Sequence, residues 1–87
     1  MQVLIHRNFG KQFAKVSAQI KIKFSLRRDL FLQDPSYPLL NNHPLTGDRK
    51  GEWSFNVTAD WRVIYEFVDF DTVVFLEIGT HSNLYKK

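Results

Sequence analysis

Apolar residues change their spacing twice along this chain of 87 residues. At the start, Val3 and Ile5 fall on one side of an extended segment and Leu4 on the other, so Met1 to His6 reads as a short strand suited to burial on both faces. From Asn8, an N-cap by residue type, Phe9, Phe13, Val16, Ile20 and Phe24 recur every three or four positions and predict one apolar helical face. Ser25 offers a cap for a second helix in which Leu26, Leu30 and Phe31 repeat the spacing. Asp34-Pro35 ends that helix, because the residue before proline disfavours the helical region. Residues 8 to 33 are thus expected to form two helices with little or no loop between them.

The period then shortens. Ser36 to Gly51, with Pro38, Asn41-Asn42-His43-Pro44 and two glycines, reads as loop with a short extended piece around Leu45. Trp53, Phe55 and Val57 alternate with Ser54, Asn56 and Thr58, the two-residue period of a half-buried strand. Ala59-Asp60 makes a turn into a strand carrying Val63, Tyr65 and Phe67, and Asp69-Phe70-Asp71 supplies the next turn. Thr72 to Ile78 completes an antiparallel meander that Gly79 stops. The expected fold is α+β in a single domain over 1–87: an N-terminal strand, two helices, then three strands, with the helices packed on one face of the sheet. The other face stays at least partly open, and chemistry is expected there.

Composition narrows the classes. The chain has no cysteine, which excludes disulfides, thiol nucleophiles and cysteine-based zinc motifs. Its longest apolar run, Val73 to Leu76, is far too short to span a bilayer, and the N-terminus lacks the pattern of a secretory signal. No membrane association and a cytoplasmic location are expected. Charge is unevenly spread: residues 1 to 33 carry seven basic side chains against Asp29, a net +6, whereas residues 34 to 87 carry five basic and eight acidic ones, a net −3. That asymmetry favours a polyanionic or acidic partner, although a solvated lysine-rich helix face would also produce it.

The candidate chemistry sits in the second half. None of His6, His43 and His81 is paired at a metal-ligand spacing, so no metal or cofactor is expected. His81 follows a strand directly, where an imidazole could be aimed into a groove; alone, such a histidine is more often a surface or hydrogen-bonding residue than a catalyst. His43, Asp60, Arg62 and His81 all fall at loops or strand ends that a meander can bring together. Base, acid and cation are the parts needed to cleave RNA: one takes the 2′-hydroxyl proton, one protonates the departing 5′-oxygen, and one steadies the phosphorane. Tyr85 could stack on a base, and Arg49, Lys50, Trp61, Lys86 and Lys87 could contact RNA.

The strings Asn42-His43-Pro44-Leu45-Thr46-Gly47, Gly51-Glu52-Trp53-Ser54, Asp60-Trp61-Arg62-Val63-Ile64-Tyr65 and Ile78-Gly79-Thr80-His81-Ser82-Asn83-Leu84-Tyr85 resemble the RelE/ParE superfamily of type II toxins, nearest to the YafQ-type mRNA interferases. The resemblance implies a toxin that cuts mRNA on the ribosome without a metal and forms a hetero-oligomer with a cognate antitoxin. It implies catalytic roles for His43, Asp60 and His81, for Tyr85 where the family carries phenylalanine, and for Arg62 by likeness to the YoeB-like branch. His81 is then the general acid, Asp60 or His43 serves as or orients the base, and Arg62 stabilises the phosphorane. Asn56 stands where YafQ has a further active-site histidine; asparagine can hydrogen-bond RNA but cannot shuttle a proton. A non-enzymatic alternative is a ParE-like gyrase inhibitor or a degenerate toxin that only binds its antitoxin. ParE-type chains generally lack the His-Pro-Leu and Gly-Thr-His pair present here.

Overall fold

The structure, a computed structural model, describes residues 1–85. It opens with β1 (Gln2–Ile5), continues through helices α1 (Arg7–Ala14) and α2 (Ala18–Gln33), and then passes a short extended piece, β2 (His43–Pro44), before β3 (Trp53–Asn56), β4 (Trp61–Asp69) and β5 (Thr72–Thr80). A last short helix, α3 (His81–Leu84), follows β5 without a loop. The five strands form one sheet in the order β1-β5-β4-β3-β2, with β1 parallel to β5 and the remaining pairs antiparallel.

Four local expectations are corrected. The helix break lies at Lys15 to Ser17, not at Ser25. Ser17 Oγ accepts from the Ile20 amide at 3.2 Å and caps α2, while the Ser25 hydroxyl lies mid-helix and donates back to the Lys21 carbonyl. The cap of α1 is His6, whose Nδ1 accepts from the Asn8 amide, and not Asn8. The spacing of the phenylalanines is continuous through the break because α1 and α2 bring their rings onto one core. Phe9, Phe13 and Phe24 meet at centroid distances of 5.0 to 5.7 Å. Leu26 stays outside that core and is 64% exposed.

β1 is not buried on both sides. It pairs only with β5 and forms an edge of the sheet, which leaves Leu4 and Ile5 exposed by about half, at 49% and 55%. Gly79 does not stop β5. It sits inside the strand opposite Arg62, where a Cβ would lie 3.2 Å from the Leu84 side chain, so the missing side chain lets α3 fold back onto the sheet.

Cross-strand register sorts the strands into two faces. Phe55, Val63, Tyr65, Phe75 and Ile78 pack with Phe9, Phe24 and Phe31 from the helices, and Phe31 lies between Phe55 (4.8 Å) and Tyr65 (5.0 Å). The opposite face carries Ser54, Asn56, Arg62, Ile64, Glu77 and Gly79 in matched rows. As expected, the two long helices α1 and α2 pack on one face. Past the end of β1, the exposed margin of β5 is met by α1, whose Gln12 Oε1 accepts from the Ile78 amide at 2.8 Å.

Candidate active site

The face away from the long helices carries the polar groups. Asn56 on β3, Arg62 on β4 and Gly79 on β5 form one row across three strands. His43 lies opposite Ser54, on the same face and one row along. Buried polar atoms normally find partners, yet among the described residues Ser54 Oγ, Asn56 Oδ1 and Arg62 Nε are buried without one. Arg62 does donate through Nη2 to the Ala59 carbonyl at 3.1 Å, which holds its guanidinium toward the turn before β4.

Asp60 and His81 meet at the rim of this face. The His81 amide donates to the Asp60 carbonyl at 2.8 Å, which joins the turn before β4 to the first residue of α3. Thr58 shapes that turn by accepting from the Asp60 and Trp61 amides, and Thr80 caps α3 by accepting from the Asn83 amide. Both Asp60 and His81 are exposed. The Tyr85 ring lies 4.7 Å from the His81 ring at 58°. Position 81 therefore begins a helix, a feature that the preceding strand pattern gives no hint of.

His43 is half-buried, and its Nδ1 lies 2.7 Å from the Asn41 carbonyl oxygen. A carbonyl only accepts, so the proton of the neutral ring sits on Nδ1 and Nε2 keeps a free lone pair. The carbonyl is aimed by Asn41, whose left-handed backbone (φ 46°) asparagine tolerates better than most residues. Asn42 anchors the same segment: its Oδ1 accepts from the buried Tyr65 hydroxyl at 2.8 Å, and its Nδ2 donates to the Pro35 carbonyl. Burial pushes the Tyr65 hydroxyl up to about 12.

The residues named from sequence for RNA contact separate. Arg49 donates to Glu52 (2.8 Å), Glu77 (2.7 Å) and the Leu84 carbonyl (3.0 Å). Burial alone would push its guanidinium down, but the hydrogen bonds and charges of Glu77 and Glu52 outweigh this and hold it above its ordinary value. Trp61 packs against the aromatic core on the helix-covered face, away from Arg62. Lys50 is exposed. Lys86 and Lys87 lie outside the described residues. A groove of about 830 Å³ opens between loop residues 45–49 and Leu84-Tyr85.

Sequence reasoning missed Arg27, which reaches from α2 to the carbonyls of Asn56 (3.1 Å) and Leu39 (3.2 Å). Its only signal is its place three residues after Phe24 and four before Phe31, on the buried side of α2. It also missed Asn41, Asn42 and Tyr65 as the support of His43. No group of three or more His, Asp or Glu side chains that could hold a metal ion occurs among the described residues. No described helix is long and apolar enough to cross a membrane.

This α+β arrangement, with two long helices on one face of the sheet and a polar opposite face, is shared by solved structures of toxins. The solved structure of YafQ from E. coli strain BL21(DE3) superposes with a TM-score of 0.78 at 24% identity, covering 97% of each chain. YafQ within the E. coli DinJ-YafQ complex gives 0.71 at 24% identity, again covering 97% of each chain. At that identity these structures speak for the fold alone. Residues 1–86 match the family model described as bacterial toxin of type II toxin-antitoxin system, YafQ, and the chain belongs to that family. A further relative, endoribonuclease HigB of Proteus vulgaris, is 47% identical over 32 residues. That match covers 37% of this chain and 35% of HigB, so the chain matches about a third of that relative's length.

Proposed function

We propose that the chain is an endoribonuclease that cleaves mRNA on the ribosome and is held in check by a cognate antitoxin. The observation that carries this reading is the hydrogen bond from the His81 amide to the Asp60 carbonyl, at the rim of the face where Arg62 and Asn56 keep unpartnered buried atoms. An acid, a base and a cation then border one surface.

In the proposed reaction, Nε2 of His43 takes the proton of the 2′-hydroxyl, with Nδ1 fixed by the Asn41 carbonyl. The 2′-oxygen attacks the adjacent phosphorus while the bond to the 5′-oxygen breaks. Protonated His81 supplies the proton to that leaving oxygen, giving a 2′,3′-cyclic phosphate and a free 5′-hydroxyl. Arg62 offsets the charge of the phosphorane, and Asn56, unable to move a proton, donates through its amide to phosphate or base. Asp60 orients this end of the site, and Tyr85 stacks on a base. An antitoxin partner is supported by the toxin family and by the apolar side chains left exposed on β1 and α2, among them Leu4, Ile5, Ile22 and Leu26.

The test is a primer-extension map of mRNA cleavage during expression, with DNA supercoiling followed in parallel. Replacing His81 by alanine is expected to lower cleavage roughly 100- to 10,000-fold. Unchanged cleavage would reject His81 as the acid. Loss of supercoiling before translation fails would point to a gyrase inhibitor instead.

A further inference from the structure

Arg49 was expected from sequence to meet RNA, yet its guanidinium is already committed to partners within the chain. It joins three separate segments: its own loop and Glu52 near β3, Glu77 on β5, and the Leu84 carbonyl at the end of α3. Only about a quarter of each of the three charged side chains is exposed. The contact with Leu84 gives the arrangement its meaning. α3 spans only His81–Leu84 and is too short to hold itself together by its own hydrogen bonds. It is held at its start by the Asp60 carbonyl and at its end by Leu84, whose buried side chain lies over Gly79 and whose carbonyl accepts from Arg49.

We infer that Arg49 is a positioning residue: its guanidinium, balanced by Glu52 and Glu77, clamps α3 to the sheet and thereby aims His81 and Tyr85. The proposal rests on the nuclease reading for its kinetic consequence but not for its structural one. Five donors in a planar fork allow one arginine to serve two carboxylates and a carbonyl together. Lysine brings the same charge with a single ammonium on a different reach, and cannot reproduce that geometry. A residue that met RNA by charge alone would tolerate lysine. A clamp would not.

The experiment compares the full-length wild type with Arg49→Lys and Arg49→Gln, each also in the His81→Ala background. It reads mRNA cleavage on ribosomes and amide hydrogen exchange along the chain. Both variants are expected to lower kcat by about 10- to 100-fold with KM nearly unchanged, the scale of a misplaced reacting group. In the His81→Ala background the further loss should be much smaller than in the wild type, because only Tyr85 is left to aim. Amides of residues 82–85 are expected to exchange at least about 10-fold faster, while those of residues 73–78 stay as protected as in the wild type. Should Arg49→Gln fail to fold, Arg49→Met combined with Glu52→Gln and Glu77→Gln removes the site without orphaning a charge.

The clamp is overturned if Arg49→Lys keeps wild-type activity, if the losses multiply with that of His81→Ala, or if exchange at 82–85 is unchanged. Uniformly faster exchange along the chain would likewise reject it in favour of a general stabilising role. An inactive wild type would sink the nuclease reading alone, and the exchange data would then decide the clamp without it.

Discussion

Alternate residues of the same strands live in opposite regimes. On the helix-covered face, Phe55, Val63 and Tyr65 are fully buried, and Phe55 and Tyr65 make ring contacts with Phe31. On the other face, Ser54, Asn56 and Arg62 occupy the intervening or adjacent positions and keep buried atoms with no partner. One face gains stability from apolar burial and aromatic packing. The other tolerates unsatisfied polar groups that each cost about 1–3 kcal/mol when a partner is lacking. The difference teaches where function can be carried: the aromatic side supplies the stability that lets the polar side remain incomplete until a substrate arrives.

The sharpest way to break that contrast is to change one side and watch the other. His81→Ala should remove most of the cleavage rate, by the factor given above, while thermal unfolding stays where it was, since this side chain is exposed and lies beside the Tyr85 ring. A large drop in melting temperature would show the two faces to be energetically joined. Phe31→Ala should do the converse, costing about 3–5 kcal/mol in denaturant unfolding through the cavity it leaves, with the rate per folded molecule preserved. Specific activity falling alongside stability would place Phe31 within the site's support.

Tyr65 tests the boundary, because it belongs to the aromatic face and its hydroxyl steadies the segment that carries His43. Its folded-state pKa is raised to about 12 by burial, above the ordinary tyrosine value of about 10. The neutral form is therefore favoured by folding. Its contribution is fully present below pH about 10 and is lost as pH rises toward 12, an effect of order 2–3 kcal/mol. Alkaline denaturation should steepen in that window, and Tyr65→Phe should flatten it while costing about 1 kcal/mol at neutral pH for the unpaired Asn42 oxygen. An identical alkaline transition in both proteins would remove Tyr65 from the account.

The smallest effect is expected at Ser54. Its buried hydroxyl has no partner to lose, so Ser54→Ala should leave stability unchanged or raise it by up to about 1 kcal/mol as the unsatisfied group is removed. A clear loss in equilibrium unfolding would reveal a partner for this hydroxyl.

The periodicity of the chain by itself determined that two long helices follow the first strand, where the second one ends, and which residues form the meander, because spacing reports which side of an element is apolar regardless of what it packs against. Its motif strings also singled out His43, Asp60, Arg62 and His81. It misplaced the break between the helices, since a stripe of phenylalanines at regular intervals looks the same whether one helix or two present it. It could not show that β1 is an edge, that Gly79 admits Leu84, or that Asn41 fixes the proton of His43. It assigned Arg49 to RNA because a loop arginine looks free until Glu52, Glu77 and the Leu84 carbonyl are brought around it. Those partners lie 3, 28 and 35 residues away in the chain. Only tertiary structure decides such contacts, because hydrogen bonds depend on a few tenths of an ångström between atoms that no local pattern brings together.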